Sequence, residues 1–413
     1  MTETNMHALC IGVQMGWYGG RPIPMGLEGV PGTGKTEIVK ALGEIFAAHL
    51  KAEGISETWA FETFVGPQML PEDVAGIGFL NTEKKALERY PLIGVRNLLN
   101  AKYGIAFFDE LTATSTAVGG SSMTAVQSGI YGDTHLPGTV APLAAWNPVE
   151  SAAGGRDLSA PEINRFCKLK WKLSDADFIN KLMGGKGALA HAVMLDADWE
   201  ERFLPHARAL VASFLKINPK YINTMESGET TEANSSEPWA SQRQWSNATR
   251  ALAAVLSLGH DPNSELAATL VKGLVGDDVG RFFIAFVRTI DLPDPNVLLE
   301  AAMEFPASTD NEVCKKRSFA LIPESVMQRP DKLKICLDGV AHTAQQDHKN
   351  AVKRYVAAWE IVYPFMLDYP DMALEASQIL AANVPKGAPE MREEITALFR
   401  IQDASGSTKL SRK

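Results

Sequence analysis

Cysteine is scarce in this chain: four among 413 residues, at positions 10, 167, 314 and 336. No C-x-x-C pair exists among them, so neither a zinc knuckle nor a disulfide framework is indicated, and buried thiols are expected. The eight histidines show no H-E-x-x-H or other close ligand spacing, so no metal is sought among them. No apolar run approaches the roughly 20 residues of a membrane span. The start of the sequence lacks a basic region followed by an apolar stretch and a cleavage site. The expected compartment is therefore the cytoplasm, with no membrane association. Positive charge is in deficit as well: 40 Lys and Arg stand against 49 Asp and Glu, a net charge of -9. That balance argues against a broad nucleic-acid surface, although a local basic channel stays open. The sequence has no internal repeat and no low-complexity tract.

What is present is an ordinary globular composition, 46% hydrophobic and 22% charged, long enough to bury a sizeable core in two or three domains. Its most informative segment is Gly29-Val30-Pro31-Gly32-Thr33-Gly34-Lys35-Thr36, a complete phosphate-binding loop. Glycines at these positions let successive backbone N–H groups turn inward toward the β- and γ-phosphates of ATP. Lys35 adds a mobile positive charge and Thr36 a hydroxyl for Mg²⁺. The context agrees: residues 23–28 read as a short apolar strand, and residues 37–50 carry helical apolar spacing at Ile38, Val39, Leu42, Ile45 and Phe46. A further helix is predicted over 6–18 and a second strand over 58–65.

Residues 66–81, with Pro67, Pro71, Gly76 and Gly78 among exposed-looking apolar residues, read as an excursion from the core. After a helical 92–99 comes Gly104-Ile105-Ala106-Phe107-Phe108-Asp109-Glu110, an apolar strand ending in two acids, the Walker B pattern. Asp109 would hold the Mg²⁺ shell and Glu110 would orient and polarise the attacking water, although paired acids are also common at strand ends. The strand 140–146 ends in Asn147-Pro148, where Asn147 either helps to hold that water or simply opens a turn. Residues 158–166 read as a capped short helix closed by Arg165, followed by a strand over 167–171. An arginine there can serve the helix dipole alone, or present a guanidinium to a neighbouring subunit's γ-phosphate. Five strands alternating with helices predict an α/β fold with a parallel sheet and ligands at the carboxyl ends of the strands.

Taken together, the phosphate loop, Phe108-Asp109-Glu110-Leu111, Ala144-Ala145-Trp146-Asn147-Pro148 and Pro161-Glu162-Ile163-Asn164-Arg165-Phe166 resemble a MoxR-type AAA+ ATPase. Pro238-Trp239-Ala240-Ser241-Gln242-Arg243-Gln244-Trp245 resembles the motif of that family's helical lid, where an arginine, here Arg243, reaches the nucleotide of its own subunit. The family has proline at the position of Gln242. Close relatives have an Asn-Arg pair after Asp-Glu, whereas this chain has Leu111-Thr112-Ala113, which marks a divergent branch. The resemblance implies a five-stranded AAA+ sheet, a helical lid and a hexameric ring. It also implies that the excursion at 66–81 and a hairpin at 129–137 project toward the ring's centre. The partner it implies is a protein client, often one with a von Willebrand factor A domain. No D-x-S-x-S metal motif occurs here, so that domain would lie on another chain.

The expected domains are 1–173 for the nucleotide-binding part, 174–294 for the helical lid, 295–403 for a further helical region, and 404–413 for a polar, disordered tail. A loop is expected over 226–237, a linker over 292–295, and helices over 352–367 and 391–401, with Trp359, Tyr363 and Phe399 in the core. The leading expectation is a chaperone-like ring ATPase that remodels a partner protein. A nucleic-acid motor or loader is the alternative, but residues 129–137 carry no lysine or arginine to hold a strand. A nucleotide-dependent switch or small-molecule kinase would need an acceptor pocket and no arginine from a neighbour. Arg156, in the loop with Gly154 and Gly155, rivals Arg165 as the arginine that acts across subunits.

Overall fold

The computed structural model describes residues 2–18, 20–148, 151, 156–230, 237–290, 292–305, 310–345 and 350–389. Gly154 and Gly155, residues 231–236 of the loop expected at 226–237, the helix expected at 391–401 with Phe399, and the tail at 404–413 lie outside the described residues. The chain divides into two compact units, one of residues 1–200 with 218–285 and one of 201–217 with 286–413. In chain order the elements are α1 (Thr2–Gln14), β1 (Met25–Glu28), α2 (Lys35–Ala52), β2 (Ala60–Val65), α3 (Pro71–Ala75), β3 (Ile77–Asn81), β4 (Ala86–Tyr90), α4 (Ile93–Ala101), β5 (Gly104–Asp109), α5 (Thr116–Ser128), β6 (Ile130–Tyr131), β7 (Thr134–His135), β8 (Val140–Trp146), α6 (Ala160–Ile163), β9 (Cys167–Lys170), α7 (Asp175–Leu182) and α8 (Trp199–Ile217). There follow α9 (Gln242–Ser257), α10 (Glu265–Val275), α11 (Asp277–Thr289), α12 (Pro295–Met303), α13 (Asn311–Leu321), α14 (Glu324–Met327), α15 (Pro330–Ala344), α16 (Ala351–Asp368) and α17 (Pro370–Ala382).

The first unit is built on a five-stranded sheet in the order β2-β5-β8-β1-β9, and every pairing in it is parallel. Parallel strands covered on both faces have no reason to alternate, which explains the unbroken apolar runs of β5 and β8. All of β8 is buried, and so is all of β5 up to Asp109. From β1 the chain crosses to the edge strand β2, steps back through β5 and β8, and passes β1 to reach β9, so the connections leaving the neighbouring strands β1 and β8 run in opposite directions. Ligands of open α/β sheets bind at the carboxyl ends of the strands beside such a switch point, and the phosphate loop follows β1 directly. Helix α1 starts earlier than its apolar spacing predicts and ends at Gln14, where Trp17 N–H donates to the Gln14 carbonyl at 2.9 Å.

The excursion does not end at Asn81. Its chain turns back through β4, which pairs with β3 from Ile77↔Tyr90 to Asn81↔Ala86, so the projecting element runs on to Tyr90. Ile77, Phe79, Leu80, Leu87 and Tyr90 are exposed on it. The second hairpin, β6–β7, lies where the sequence places it, with Gly132 at φ +62° against the Ala75 carbonyl. The two hairpins touch: Arg89 N–H donates to Asp133 Oδ2 at 2.8 Å. Asp133 thereby ties the larger excursion to the smaller one.

The second unit is helical, with a core of Leu299, Leu337, Val340, Ala358, Ile361, Phe365 and Leu380. Trp359 and Tyr363 belong to that core, as expected. The stretch read as a linker ends in a helix cap: Asp294 accepts Asn296 N–H at 2.8 Å, and Pro295 opens α12. Lys216 bridges Asp338, at 3.2 Å, and Glu375. Cys10, Cys167, Cys314 and Cys336 are all buried, and no disulfide joins any of them. Among the described residues, no helix is long and apolar enough to cross a membrane.

Candidate active site

The phosphate loop is shaped by its glycines. Gly32 and Gly34 take φ of +78° and +72°, a region costly for any residue with a Cβ. The loop then enters α2 at Lys35, whose residue is only 8% exposed. Its Nζ donates to the Gly29 carbonyl at 2.6 Å, the Val30 carbonyl at 3.1 Å and Asn147 Oδ1 at 3.0 Å. These are all neutral acceptors. Burial pushes the Lys35 pKa down, and the charges of Asp109 and Glu110 only partly oppose it. A buried ammonium with no carboxylate directly on it is suited to an anionic ligand. At the loop's waist Thr33 Oγ1 donates to the Val30 carbonyl at 2.9 Å, and Trp171 Nε1 donates to the Thr33 carbonyl at 3.4 Å. Val30 and Pro31 stand exposed at its rim.

Thr36 and Asp109 come together from α2 and the end of β5. Thr36 Oγ1 donates to Asp109 Oδ2 at 2.6 Å. A hydroxyl and a carboxylate oxygen this close, beside a phosphate cradle, form an oxygen donor set that suits Mg²⁺. Glu110, next in the chain, is exposed and takes a left-handed φ of +50°. Its own N–H donates to Asp109 Oδ1 at 3.0 Å, which draws that carboxylate toward both residues. Gly66 backs the turn, because a Cβ there would collide with the Glu110 carbonyl. Thus two hydrogen-bonded pairs, Lys35 with Asn147 and Thr36 with Asp109, meet at neighbouring positions of the loop's end, with Glu110 beside Asp109.

The two expected arginines form a second group. Helix α6 ends at Ile163, so Arg165 lies in the turn beyond it, its N–H donating to the Glu162 carbonyl at 3.1 Å. Arg243 is exposed on the first turn of α9, which Ser241 caps by accepting Gln244 N–H at 3.3 Å. Two side-chain bonds fasten that turn to the α6–β9 segment: Asn164 Nδ2 to Ser241 Oγ at 3.1 Å, and Gln244 Nε2 to the Phe166 carbonyl at 3.0 Å. Burial lowers the Arg165 pKa, the nearby Arg243 charge lowers it further, and Glu162 opposes both. Among the described residues, no ion pair holds either guanidinium, and no hydrogen bond joins them to the phosphate loop.

Arg156 is different. Its Nη1 and Nη2 donate to the two Glu162 carboxylate oxygens at 2.8 and 2.7 Å, a bidentate pair within one chain. Glu162 also accepts from Ser159 N–H and Ser159 Oγ, both at 2.8 Å, which closes a capping box on α6. Burial alone would raise the Glu162 pKa, but Arg156 and Ser159 outweigh it and hold it at about 2. Sequence reasoning saw the cap but missed this pairing. It also missed Lys168, buried in β9, and Glu28, its partner at 3.0 Å. The sequence offered only the charges themselves, Glu28 closing one short strand and Lys168 within another, with no sign that the two meet.

No protein-family profile and no curated protein matches the chain. Among solved structures it is similar to a candidate ATPase from Cytophaga hutchinsonii, with 17% identity, a TM-score of 0.40, and coverage of 69% of this chain and 88% of that one. It is also similar to the ORC1 protein of Aeropyrum pernix, solved in complex with DNA, with 13% identity, a TM-score of 0.30, and coverage of 88% and 82%. With identities and TM-scores this low, neither likeness bears on activity or partner.

Proposed function

We propose that this chain is a Mg²⁺-dependent AAA+ ATPase that works as a ring of identical subunits and remodels a partner protein. The observation that carries the reading is the Thr36–Asp109 contact beside a buried Lys35 that only neutral acceptors satisfy. Lys35 binds the β- and γ-phosphates in place of the Gly29 and Val30 carbonyls, while the loop N–H groups cradle their oxygens. Thr36 and Asp109 hold Mg²⁺, which, when bound, offsets charge on the phosphate oxygens. Glu110 polarises the attacking water, and Asn147 helps to hold it.

Arg243 serves the nucleotide of its own subunit, and Arg165 that of a neighbour. Support for this choice over Arg156 comes from pairing, since Glu162 already engages the Arg156 guanidinium and leaves Arg165 without a carboxylate. The resemblance to MoxR-type proteins supports a hexamer and a client with a von Willebrand factor A domain on another chain. Continuing the excursion to Tyr90 adds Lys84, Lys85 and Arg89 to a projecting hairpin, which touches on the nucleic-acid reading. Glu83 and Glu88 counter them, and Lys84 is paired with Glu88 at 2.9 Å, so exposed Phe79, Leu80 and Leu87 make a protein client the better fit.

Glu110→Gln tests the assignment. ATP binding should persist while turnover falls by about 10²- to 10⁴-fold, the scale of a lost general base, leaving an ATP-loaded assembly. Hydrolysis at the wild-type rate would remove Glu110 from the role.

A further inference from the structure

Lys168 stands in β9 with its side chain only 5% exposed, and two carboxylates hold its Nζ: Glu28 Oε1 at 3.0 Å and Glu237 Oε1 at 3.0 Å. The two partners are not equivalent. Glu28 immediately precedes the phosphate loop and its side chain is 20% exposed, whereas Glu237 is 56% exposed. Among the described residues Glu28 and Glu237 are the only partners of the Lys168 ammonium, so losing both would leave it with neither water nor an acceptor, at a large cost. A half-exposed carboxylate, by contrast, can leave at little cost. The inner pair is therefore permanent and the outer one releasable.

Each end of this triad leads to the nucleotide site. Glu28 Oε1 also accepts Trp146 Nε1–H at 3.3 Å. The Trp146 ring occupies the space a Cβ on Gly26 would need, packs on Phe166 at 5.6 Å, and immediately precedes Asn147, the acceptor of Lys35. At the other end, Glu237 lies on the chain that enters α9, whose first turn carries Arg243. Trp239 Nε1 on that approach donates to the Ala160 carbonyl at 3.2 Å, next to the segment that carries Arg165.

We propose that Lys168 is a positioning residue that couples the seating of α9 to the phosphate loop, with Glu237 as its releasable latch. When Glu237 docks, it shares the lysine's charge and fixes the start of α9, and with it Arg243, against β9. When it leaves, the whole charge of Lys168 falls on Glu28 Oε1, the same atom that orients Trp146, and Asn147 is held less firmly. By reciprocity, a nucleotide that engages Arg243 favours docking of Glu237. This inference rests on the nucleotide-site reading above.

The test uses the full chain with Glu237→Gln, Glu237→Asp and Lys168→Arg. Three quantities are measured: ATP affinity with a fluorescent analogue, the unfolding midpoint without nucleotide, and amide exchange at the start of α9. Glu237→Gln should weaken ATP binding about two- to fivefold, the scale of a half-exposed ion pair acting at a distance. Exchange at the start of α9 should quicken without nucleotide, and the midpoint should not move. Glu237→Asp and Lys168→Arg, which keep the charges, should recover most of the affinity. Faster exchange with unchanged ATP affinity would overturn the coupling, and so would equal weakening by Glu237→Gln and Glu237→Asp. A wild-type chain that binds no ATP would overturn the nucleotide-site reading and this inference together.

Discussion

Two half-buried acids, one in each unit, meet opposite fates. Glu162 in the first unit faces a bidentate guanidinium and two donors from Ser159, and its pKa falls from 4.5 to about 2. Asp338 in the second unit is pushed up from 3.8 to about 6 by burial and by the like charge of Glu375, with Lys216 opposing. Both acids sit beside a basic residue, so proximity of charge does not decide the outcome. What decides it is whether the cation is shared. Glu162 is the one carboxylate on Arg156 among the described residues, whereas Lys216 divides itself between Asp338 and Glu375, and Asp338 Oδ1 is left without a partner. The same comparison separates Arg156, which holds a carboxylate, from Arg165, which among the described residues holds none.

The largest effect should come from testing whether the unpaired guanidinium in the first unit is kept for a ligand. Arg165→Ala should leave ATP binding and folding intact while hydrolysis drops about 10³-fold or more, the scale of a missing arginine finger. Mixing Arg165→Ala with Glu110→Gln subunits should restore activity, since some interfaces then pair an intact Glu110 with an intact Arg165. If steady-state turnover of Arg165→Ala matches wild type, the unpaired state has no catalytic meaning.

Glu162→Gln should act on stability instead. A depressed folded-state pKa gives stability that is present above 4.5 and lost as pH falls toward 2, so the wild-type first unit should weaken over that window and the variant should not. At neutral pH the variant should lose about 1–2 kcal/mol, read by denaturant unfolding, since a partly exposed pair and a cap are weakened together. An unchanged acid profile would mean that the Arg156 pair contributes nothing.

Asp338→Asn should have the smallest effect and the opposite slope. Its raised folded-state pKa makes the second unit lose stability as pH rises from about 4 to 6. The variant should flatten that trend, followed by amide exchange within 330–382. At neutral pH the net change should stay within about 1 kcal/mol, because relief from Glu375 is offset by the partner Lys216 loses. A wild-type profile that rises over this window would reverse the assigned sign.

The sheet was legible in the sequence because β1, β5 and β8 are apolar runs punctuated by chemically marked ends, at Gly29, Asp109 and Asn147. Helix α5 was not foreseen. Its Gly119-Gly120-Ser121-Ser122 centre is poor in helix formers, and the helix forms because Ser115 caps it and Val118, Met123, Ala125 and Val126 are buried. Strand β4 escaped notice because almost all of it is exposed and only its pairing with β3 defines it. The Glu28–Lys168 and Arg156–Glu162 pairs were invisible for another reason: a charge in sequence carries no sign of which opposite charge the fold will bring to it. The linear pattern therefore marks the residues that would meet phosphate far better than those that hold them in place.

Glu110 keeps its left-handed turn against the backbone of Gly66, a residue on another strand's exit with no chemistry of its own. The arrangement restricts which substitutions the chain can accept. Every side chain larger than hydrogen at position 66 would push on the Glu110 carbonyl, while glycine or asparagine at position 110 would relax the backbone and abolish the carboxylate. A residue better suited to the turn at 110 would therefore cost the carboxylate that the turn presents, while the demand for glycine at 66, set by a backbone carbonyl, would remain.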